Sequence, residues 1–267
     1  MRNRQAIFRP PWFVRVGAVF GFAYICLPLV GLLRNISWSS LVEQILNGPT
    51  RDALRLSLIT SIAATIVALI FGLPLAWVLA RVSFRGSSFV RALVMLPMVL
   101  PPVVGGVALL AAYGRTNGLI GSVLYDSFGL QLTFSPVGVV VAEAFVALPF
   151  LVMAVEGGLR SIDTRHEESA STMGANEIKK FYRVTLRLLR PSLIAGIAVA
   201  WARALGEFGA TITFAGNITG RTQTTPLAVY LLLESDPQAA YALSFVLLVI
   251  CVGVLVSMRD KWLGSRQ

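Results

Sequence analysis

Six long apolar stretches alternate with shorter polar segments along this chain of 267 residues. Each stretch holds about twenty residues with almost no charge, and a helix of that length, at about 1.5 Å rise per residue, crosses a hydrocarbon core of about 30 Å. The pattern therefore predicts an all-α fold, a polytopic transmembrane helix bundle of about six spans in a single domain over residues 1–267. The predicted spans are residues 12–33, 53–79, 89–113, 136–159, 192–215 and 240–258.

Two of these stretches need a closer reading. The first follows a basic start and so is similar to a signal peptide, but it is too long for one and no small-residue cleavage site follows it, so we interpret it as a retained span. The third contains Pro101, Pro102, Gly105 and Gly106. Proline removes a backbone donor, and broken backbone at membrane depth is tolerated only where protein or a cavity covers it. These four residues are therefore candidates for lining a pathway, with a simple kink as the alternative.

The composition agrees with a membrane protein. Charged residues make up 13% of the chain and apolar residues 56%, whereas about a quarter of a soluble domain is charged. This deficit of charge indicates lipid as the solvent. Cys26 and Cys251 both fall within apolar stretches, where a free cysteine behaves as a small hydrophobic residue.

The charge is strongly basic, at +10 with a pI near 10.4, and so could suggest a nucleic-acid partner. The distribution of the basic residues along the chain favours a membrane protein instead. If the N-terminus is cytoplasmic, 17 of the 23 Lys and Arg residues fall on inner segments, and Arg203 falls within the fifth span. Inner loops of membrane proteins carry such an excess, so we predict that both termini are cytoplasmic and that there is no nucleic-acid partner. The outer residues are Arg34, Arg51, Arg55, Arg115 and Arg221.

The cytosolic loop of residues 161–191 carries the strongest local pattern, which predicts two short helices. Thr164 and Glu167 have capping-box spacing, and Gly174 suits the left-handed position that ends a helix. Asn176 can cap the next helix, and Pro191 is expected to open the fifth span, where a missing N–H costs nothing. In the second helix an apolar side formed by Ile178, Phe181, Tyr182, Thr185 and Leu189 lies apart from the basic residues.

An amphipathic loop of this kind has three possible roles. It can lie on the anionic inner leaflet of the membrane, fit a groove on a partner protein, or serve only as a solvated connector.

The fifth stretch is rich in glycine and alanine, which lets neighbouring backbones approach closely. Arg203 and Glu207 are four residues apart, and ionisable groups at this depth are expected to face the interior and to pair. They form either a structural ion pair or, with Thr211, part of a pathway or gate in which Arg203 attracts a dianion. Glu143 in the fourth stretch is a further buried acid, which either relays protons or faces a cavity or caps a helix.

Some chemistry is absent from the sequence. There is no G-x-x-x-x-G-K-[ST] phosphate loop, so we expect no ATP binding and no cofactor in this chain. His166 is the only histidine, which is too little for a metal site or a catalytic triad. The sequence therefore predicts a transport subunit, with no catalytic or metal site, that depends on a partner for energy.

The cytosolic loop resembles the "EAA…G" loop of permease subunits of bacterial ABC importers. Glu168, Ser169, Ala170 and Gly174 match that pattern, with Ser169 where the family usually has its first alanine. Val184-Thr185-Leu186 and Pro191 also match, while Arg187 replaces a common proline. The resemblance implies a coupling helix that inserts into a cleft of a separate ATP-binding subunit. Motion of that subunit would then reach the bundle as rigid-body rotation.

Three further segments resemble the permease of molybdate and tungstate importers, and the resemblance runs from about Arg51 to the end of the chain. It implies a homodimer in a bacterial or archaeal plasma membrane, two copies of an ATPase that uses ATP and Mg, and an extracytoplasmic molybdate-binding protein. Sulfate and thiosulfate permeases share RALGEFGA and remain an alternative, as does an autonomous proton-coupled transporter. The segments are MLPMVLPPVVGGVALLAAYG (95–114), RALGEFGATITFAGN (203–217) and TTPLAVYLLLESDPQAA (224–240).

Overall fold

The computed structural model describes residues 11–263, with side chains described as far as residue 256, and this part of the chain is built from helices and short connections without strands. Four of the basic residues assigned above to the inner side, Arg2, Arg4, Arg9 and Arg266, lie outside the described residues. The helices are α1 (Trp12–Asn35), α2 (Leu41–Leu46), α3 (Gly48–Arg81), α4 (Ser87–Val99), α5 (Pro102–Tyr113), α6 (Gly121–Phe128), α7 (Pro136–Ser161), α8 (Arg165–Thr172), α9 (Glu177–Leu205), α10 (Gly209–Phe214), α11 (Thr225–Ser235) and α12 (Pro237–Leu263).

The predicted all-α bundle with about six spans is confirmed. Five helices, α1, α3, α7, α9 and α12, are long and apolar enough to cross a membrane, and the bent pair α4–α5 makes a sixth span if it is counted as one. The cytoplasmic location of both termini and the single-domain assignment stay predictions.

The third span is not one helix. The chain bends by 118° between α4 and α5, so the predicted break at Pro101 and Pro102 within residues 89–113 is confirmed, and the bend is larger than a simple kink. Leu100 and Pro101 adopt extended backbone angles between the two helices. A residue that precedes proline is driven out of the helical region, and Pro102 then starts α5 at a position that needs no N–H partner.

The fifth span also has different limits from those predicted at residues 192–215. α9 begins at Glu177, runs through a π-helical turn at Phe181–Thr185 and ends at Leu205, and a short break then precedes α10. Pro191 lies inside this helix and does not open it. The helix continues past Pro191 because only one intrahelical bond is lost, to the carbonyl of exposed Arg187.

The core lies where α3, α7 and α9 pack together. Small side chains allow this close packing, as at Gly72 against Leu151 and at Gly196 against Ala154. By contrast, α1 has no buried residue. Buried members of the core cluster are Ala64, Ala68, Ala76, Leu79, Ala144, Ala147, Leu151, Val152, Val155, Leu159, Leu189, Ala200 and Ala204.

Candidate functional site

The connection between α7 and α9 together with the first turns of α9, residues 162–185, is called the elbow below. Its first helix, α8, does not begin with the predicted capping box. The side chain of Thr164 makes no capping hydrogen bond, and the Asp163 carboxylate accepts from the backbone N–H of Arg165 at 3.0 Å instead. Glu167 cannot complete the box because its carboxylate is bound elsewhere.

Glu167 ties the elbow to the bundle. Its Oε1 accepts a hydrogen bond from the hydroxyl of Thr185 at 2.8 Å and pairs with Arg81 Nη2 at 3.2 Å. Arg81 is the last residue of α3, and Thr185 lies in the π-helical turn of α9. One carboxylate therefore joins α8 to two membrane-spanning helices. Phe181 adds an edge-to-face contact with Trp77 of α3, with 5.1 Å between ring centroids.

The turn of the elbow is built as predicted. Gly174 has φ +79°, in the left-handed region, and Asn176 accepts from the backbone N–H of Lys179 at 2.9 Å. The N–H of Ala175 bonds to the carbonyl of Ala170, and that of Gly174 to the carbonyl of Ser171, both at 3.0 Å. This is the Schellman arrangement, which satisfies the last carbonyls of a helix. The elbow is therefore a defined structure and not a loose connector.

Part of the elbow's apolar side faces outward. Met173 is 81% exposed, Ile178 69% and Tyr182 64%, whereas Thr185 and Leu189 are fully buried. The predicted apolar side is thus divided between the core and the exposed residues Ile178 and Tyr182. These two and Met173 are here called the elbow surface. The first residues of the loop pattern are divided in the same way: Glu168 and Ser169 are exposed, while Ala170 is buried.

At membrane depth the two helix breaks lie against each other. α5, which follows the break at Pro101, packs on α10, which follows the break at residues 206–208. A Cβ atom on Gly209 would lie 2.6 Å from Pro102 Cβ, and one on Gly106 would lie 2.5 Å from Thr213 Cβ. Glycine is therefore required for this contact. We call this region the double break: residues 100–106 and 206–213.

Arg203 and Glu207 pair across the second break. Arg203 Nη2 lies 2.6 Å from Glu207 Oε2, and Glu207 Oε1 accepts from the backbone N–H of Ala210 at 2.8 Å. The predicted pairing is confirmed, although helix α9 has ended by Glu207. Glu207 is 1% exposed, while 28% of the Arg203 side chain is exposed, so of this pair only Arg203 reaches the surface.

The other predicted pathway residues differ in access. Pro101 and Pro102 are exposed, Gly105 is buried beside Phe145, and Thr211 is completely buried. Among the described residues the Thr211 hydroxyl has no hydrogen-bond partner. In this conformation Thr211 is therefore enclosed within the double break and does not line an open path.

Glu143 has a partner that the sequence did not suggest. It is 1% exposed, and its Oε1 accepts from the hydroxyl of Thr60 on α3 at 3.0 Å. Its other oxygen has no partner among the described residues. Glu143 therefore links α7 to α3 in the core; it is far from solvent in this conformation.

A cluster of Glu156, Arg91 and Arg160, here called the Glu156 cluster, was missed by the sequence reasoning. Glu156 Oε1 pairs with Arg91 Nη2 at 2.8 Å and with Arg160 Nη2 at 2.9 Å. The spacing of four between Glu156 and Arg160 was a signal for half of this cluster. Arg91 is 65 residues from Glu156 in sequence, and nothing local indicates the contact.

Comparison with known proteins places this arrangement among transporters. Residues 72–266 match the sequence profile of the family described as binding-protein-dependent transport system inner membrane component. The chain is 43% identical over 248 residues to the molybdenum transport system permease protein ModB of Mycobacterium bovis, covering 93% of each. It is 37% identical over 238 residues to the sulfate transport system permease protein CysT of Salmonella typhimurium, covering 88% of this chain and 85% of that protein.

A solved structure has the same fold. The chain superposes with a TM-score of 0.71 on a bacterial ABC transporter involved in the import of the acidic polysaccharide alginate. The match covers 96% of this chain and 94% of that one, at 17% identity. At that identity the likeness describes the fold alone.

Proposed function

The chain belongs to the family of inner membrane components of binding-protein-dependent transport systems, and from this premise we propose that it is the permease subunit of a molybdate or tungstate importer. The proposed substrate rests on the 43% identity to a molybdenum permease over 93% of both chains. Sulfate is the second candidate, because a sulfate permease is 37% identical over a comparable length. Membership of this family argues against an autonomous proton-coupled transporter.

We infer that energy enters through the elbow. The elbow surface is apolar and exposed beside the cytosolic end of the bundle, as expected of a helix that fits a groove on a partner protein. The partner proposed is an ATP-binding subunit that holds the ATP and Mg, in two copies beneath a homodimer of this chain. An extracytoplasmic binding protein would deliver the oxyanion from the other side. Glu168, Ser169, Ala170, Gly174 and Pro191 are proposed coupling residues.

The double break is the proposed pathway or gate. The Arg203 side chain is 28% exposed there, while Glu207 pairs with its Nη2 and accepts a hydrogen bond from the backbone N–H of Ala210 in α10. A carboxylate partner lowers the net charge offered to a dianion, so we propose that Arg203 guides the substrate without binding it tightly. Movement of α5 against α10 would open or close the route.

The function is tested by uptake in proteoliposomes. The chain is reconstituted with its ATPase subunit and binding protein, and uptake of radioactive molybdate is measured with and without ATP on the ATPase side. We expect uptake that requires ATP and that persists in excess sulfate. Uptake by this chain alone, driven by a proton gradient, would overturn the proposal. ATP-dependent uptake of molybdate that excess sulfate abolishes would identify the chain as a sulfate permease instead.

A substitution at Gly174 tests the coupling role of the elbow. Gly174→Val forces a β-branched residue to φ +79°, at a strain of about 1–3 kcal/mol, and so distorts the turn without filling any space, since nothing lies within 4 Å. We expect ATP hydrolysis to continue while uptake per ATP falls severalfold. Gly157→Val on α7 is the matched control, because that position is also open but has no left-handed backbone. Equal uptake by both variants would contradict a coupling role for the turn.

A further inference from the structure

We propose that Glu156 is a positioning residue that, through Arg91, makes the broken pair α4–α5 follow the movement of the elbow. The inference rests on the proposed function and adds to it the route by which force reaches the double break. It is carried by the geometry of the Glu156 cluster.

The cluster joins α7 and α4 at one carboxylate oxygen and α3 through a backbone carbonyl. Glu156 on α7 is 6% exposed, and its Oε1 accepts from the Nε atoms of Arg91 at 2.9 Å and Arg160 at 3.0 Å. Both arginines also donate through Nη2 to the carbonyl of Leu79, at 3.2 and 3.1 Å. Leu79 is in the last turn of α3, where a carbonyl has no intrahelical partner. The charges and the orphan carbonyl are therefore satisfied together.

The two arginines make the same bonds from different helices. Arg160 is on α7, as Glu156 is, and α7 already packs against α3 over much of its length. Arg91 is on α4, a helix without a buried residue, which touches the core only through partly buried side chains such as Val90 and Val94. The Arg91 bonds are therefore a directional tie between α4 and the rest of the bundle, whereas the Arg160 bonds duplicate an existing contact.

This tie lies on a continuous path. Glu167 of the elbow binds Arg81, two residues beyond Leu79 on α3. Leu79 and Glu156 bind Arg91 on α4, α4 leads through the 118° bend into α5, and α5 packs on α10. A movement imposed on the elbow can therefore reach the double break through bonded groups and rigid helices.

The test compares Arg91→Gln with Arg160→Gln in the complete reconstituted complex. Each substitution removes one ion pair with Glu156 and one hydrogen bond to the Leu79 carbonyl, so the two variants lose the same kinds of bond. We expect uptake per ATP hydrolysed to fall roughly tenfold for Arg91→Gln and less than about twofold for Arg160→Gln. Uptake per ATP should fall for Glu156→Gln as it does for Arg91→Gln. Glu43→Gln, at an exposed position of α2, should leave uptake per ATP as in the wild type.

The readout separates positioning from stability. Amount of assembled complex and basal ATP hydrolysis are measured beside uptake, and a residue that only stabilises the fold would change the amount of complex while leaving uptake per ATP constant. Equal uptake per ATP for the Arg91 and Arg160 variants would overturn the inference, as would a loss confined to the amount of complex. The wild-type complex reports separately on the proposed function: if it imports no oxyanion with ATP, that proposal fails whatever the variants do.

Discussion

Replacing Gly106 by alanine is expected to stop transport, whereas the same change at Gly105 is expected to be tolerated. A Cβ atom on Gly106 would lie 2.5 Å from Thr213 Cβ and 3.0 Å from the backbone oxygen of Ala210. Backbone cannot move aside locally, so α5 and α10 must separate. Overpacking of this kind costs about 1–3 kcal/mol, and here the strain falls on the proposed gate.

The neighbouring glycine is the matched control. A Cβ atom on Gly105 would meet only the ring of Phe145, at 3.3 Å, and a side-chain ring can shift by a few tenths of an ångström. Uptake in proteoliposomes and thermal unfolding in detergent should both distinguish the two variants. Thr213→Gly removes the closest clash and should restore part of the transport lost in Gly106→Ala. If Gly106→Ala transports normally, the contact between α5 and α10 is not tight when the transporter works.

A second large effect is expected at Glu207. Glu207→Gln keeps an acceptor for the Ala210 N–H but removes the charge that balances Arg203. Removing one partner of a buried ion pair typically costs about 3–5 kcal/mol. Because the Arg203 side chain is partly exposed, we expect Glu207→Gln to lower the free energy of unfolding by about 3 kcal/mol.

The double variant Arg203→Gln with Glu207→Gln separates charge balance from transport. Without either charge, more than half of the lost stability should return, as measured by thermal unfolding of the purified protein. Uptake should stay low, because no cation then faces the oxyanion. Full recovery of uptake together with stability would mean that the pair is only structural and that Arg203 does not guide the substrate.

The spans could be predicted from sequence because hydropathy is a local property. Residues 12–33 and 136–159 needed no knowledge of their neighbours, and the structure places helices there within a few residues. The limits of the fifth span could not be found in this way. Polar residues from Glu177 onward extend the helix beyond its apolar stretch, and the helix ends at Leu205, where Glu207 turns back to bind Arg203 and Ala210.

At the candidate site, too, features set by neighbouring residues could be predicted and contacts between distant residues could not. Gly174 and Asn176 were found because turn geometry and capping depend on adjacent residues. The pairing of Arg203 with Glu207 followed from their spacing. The role of Glu167 was missed, since its partner Arg81 is 86 residues away in sequence and only the folded chain brings them together. Contacts of that length depend on the fold, which a single sequence does not display.

The core between α3, α7 and α9 has a consequence for the speed of any rearrangement. Seven of its thirteen fully packed members are alanine, a side chain with no rotamers to lose or exchange. Helices that meet through such surfaces can slide past one another with few torsional barriers. The activation energy of a transition between two states of this bundle should therefore come mainly from its few polar bonds, and warming or cooling should change the rate through those bonds.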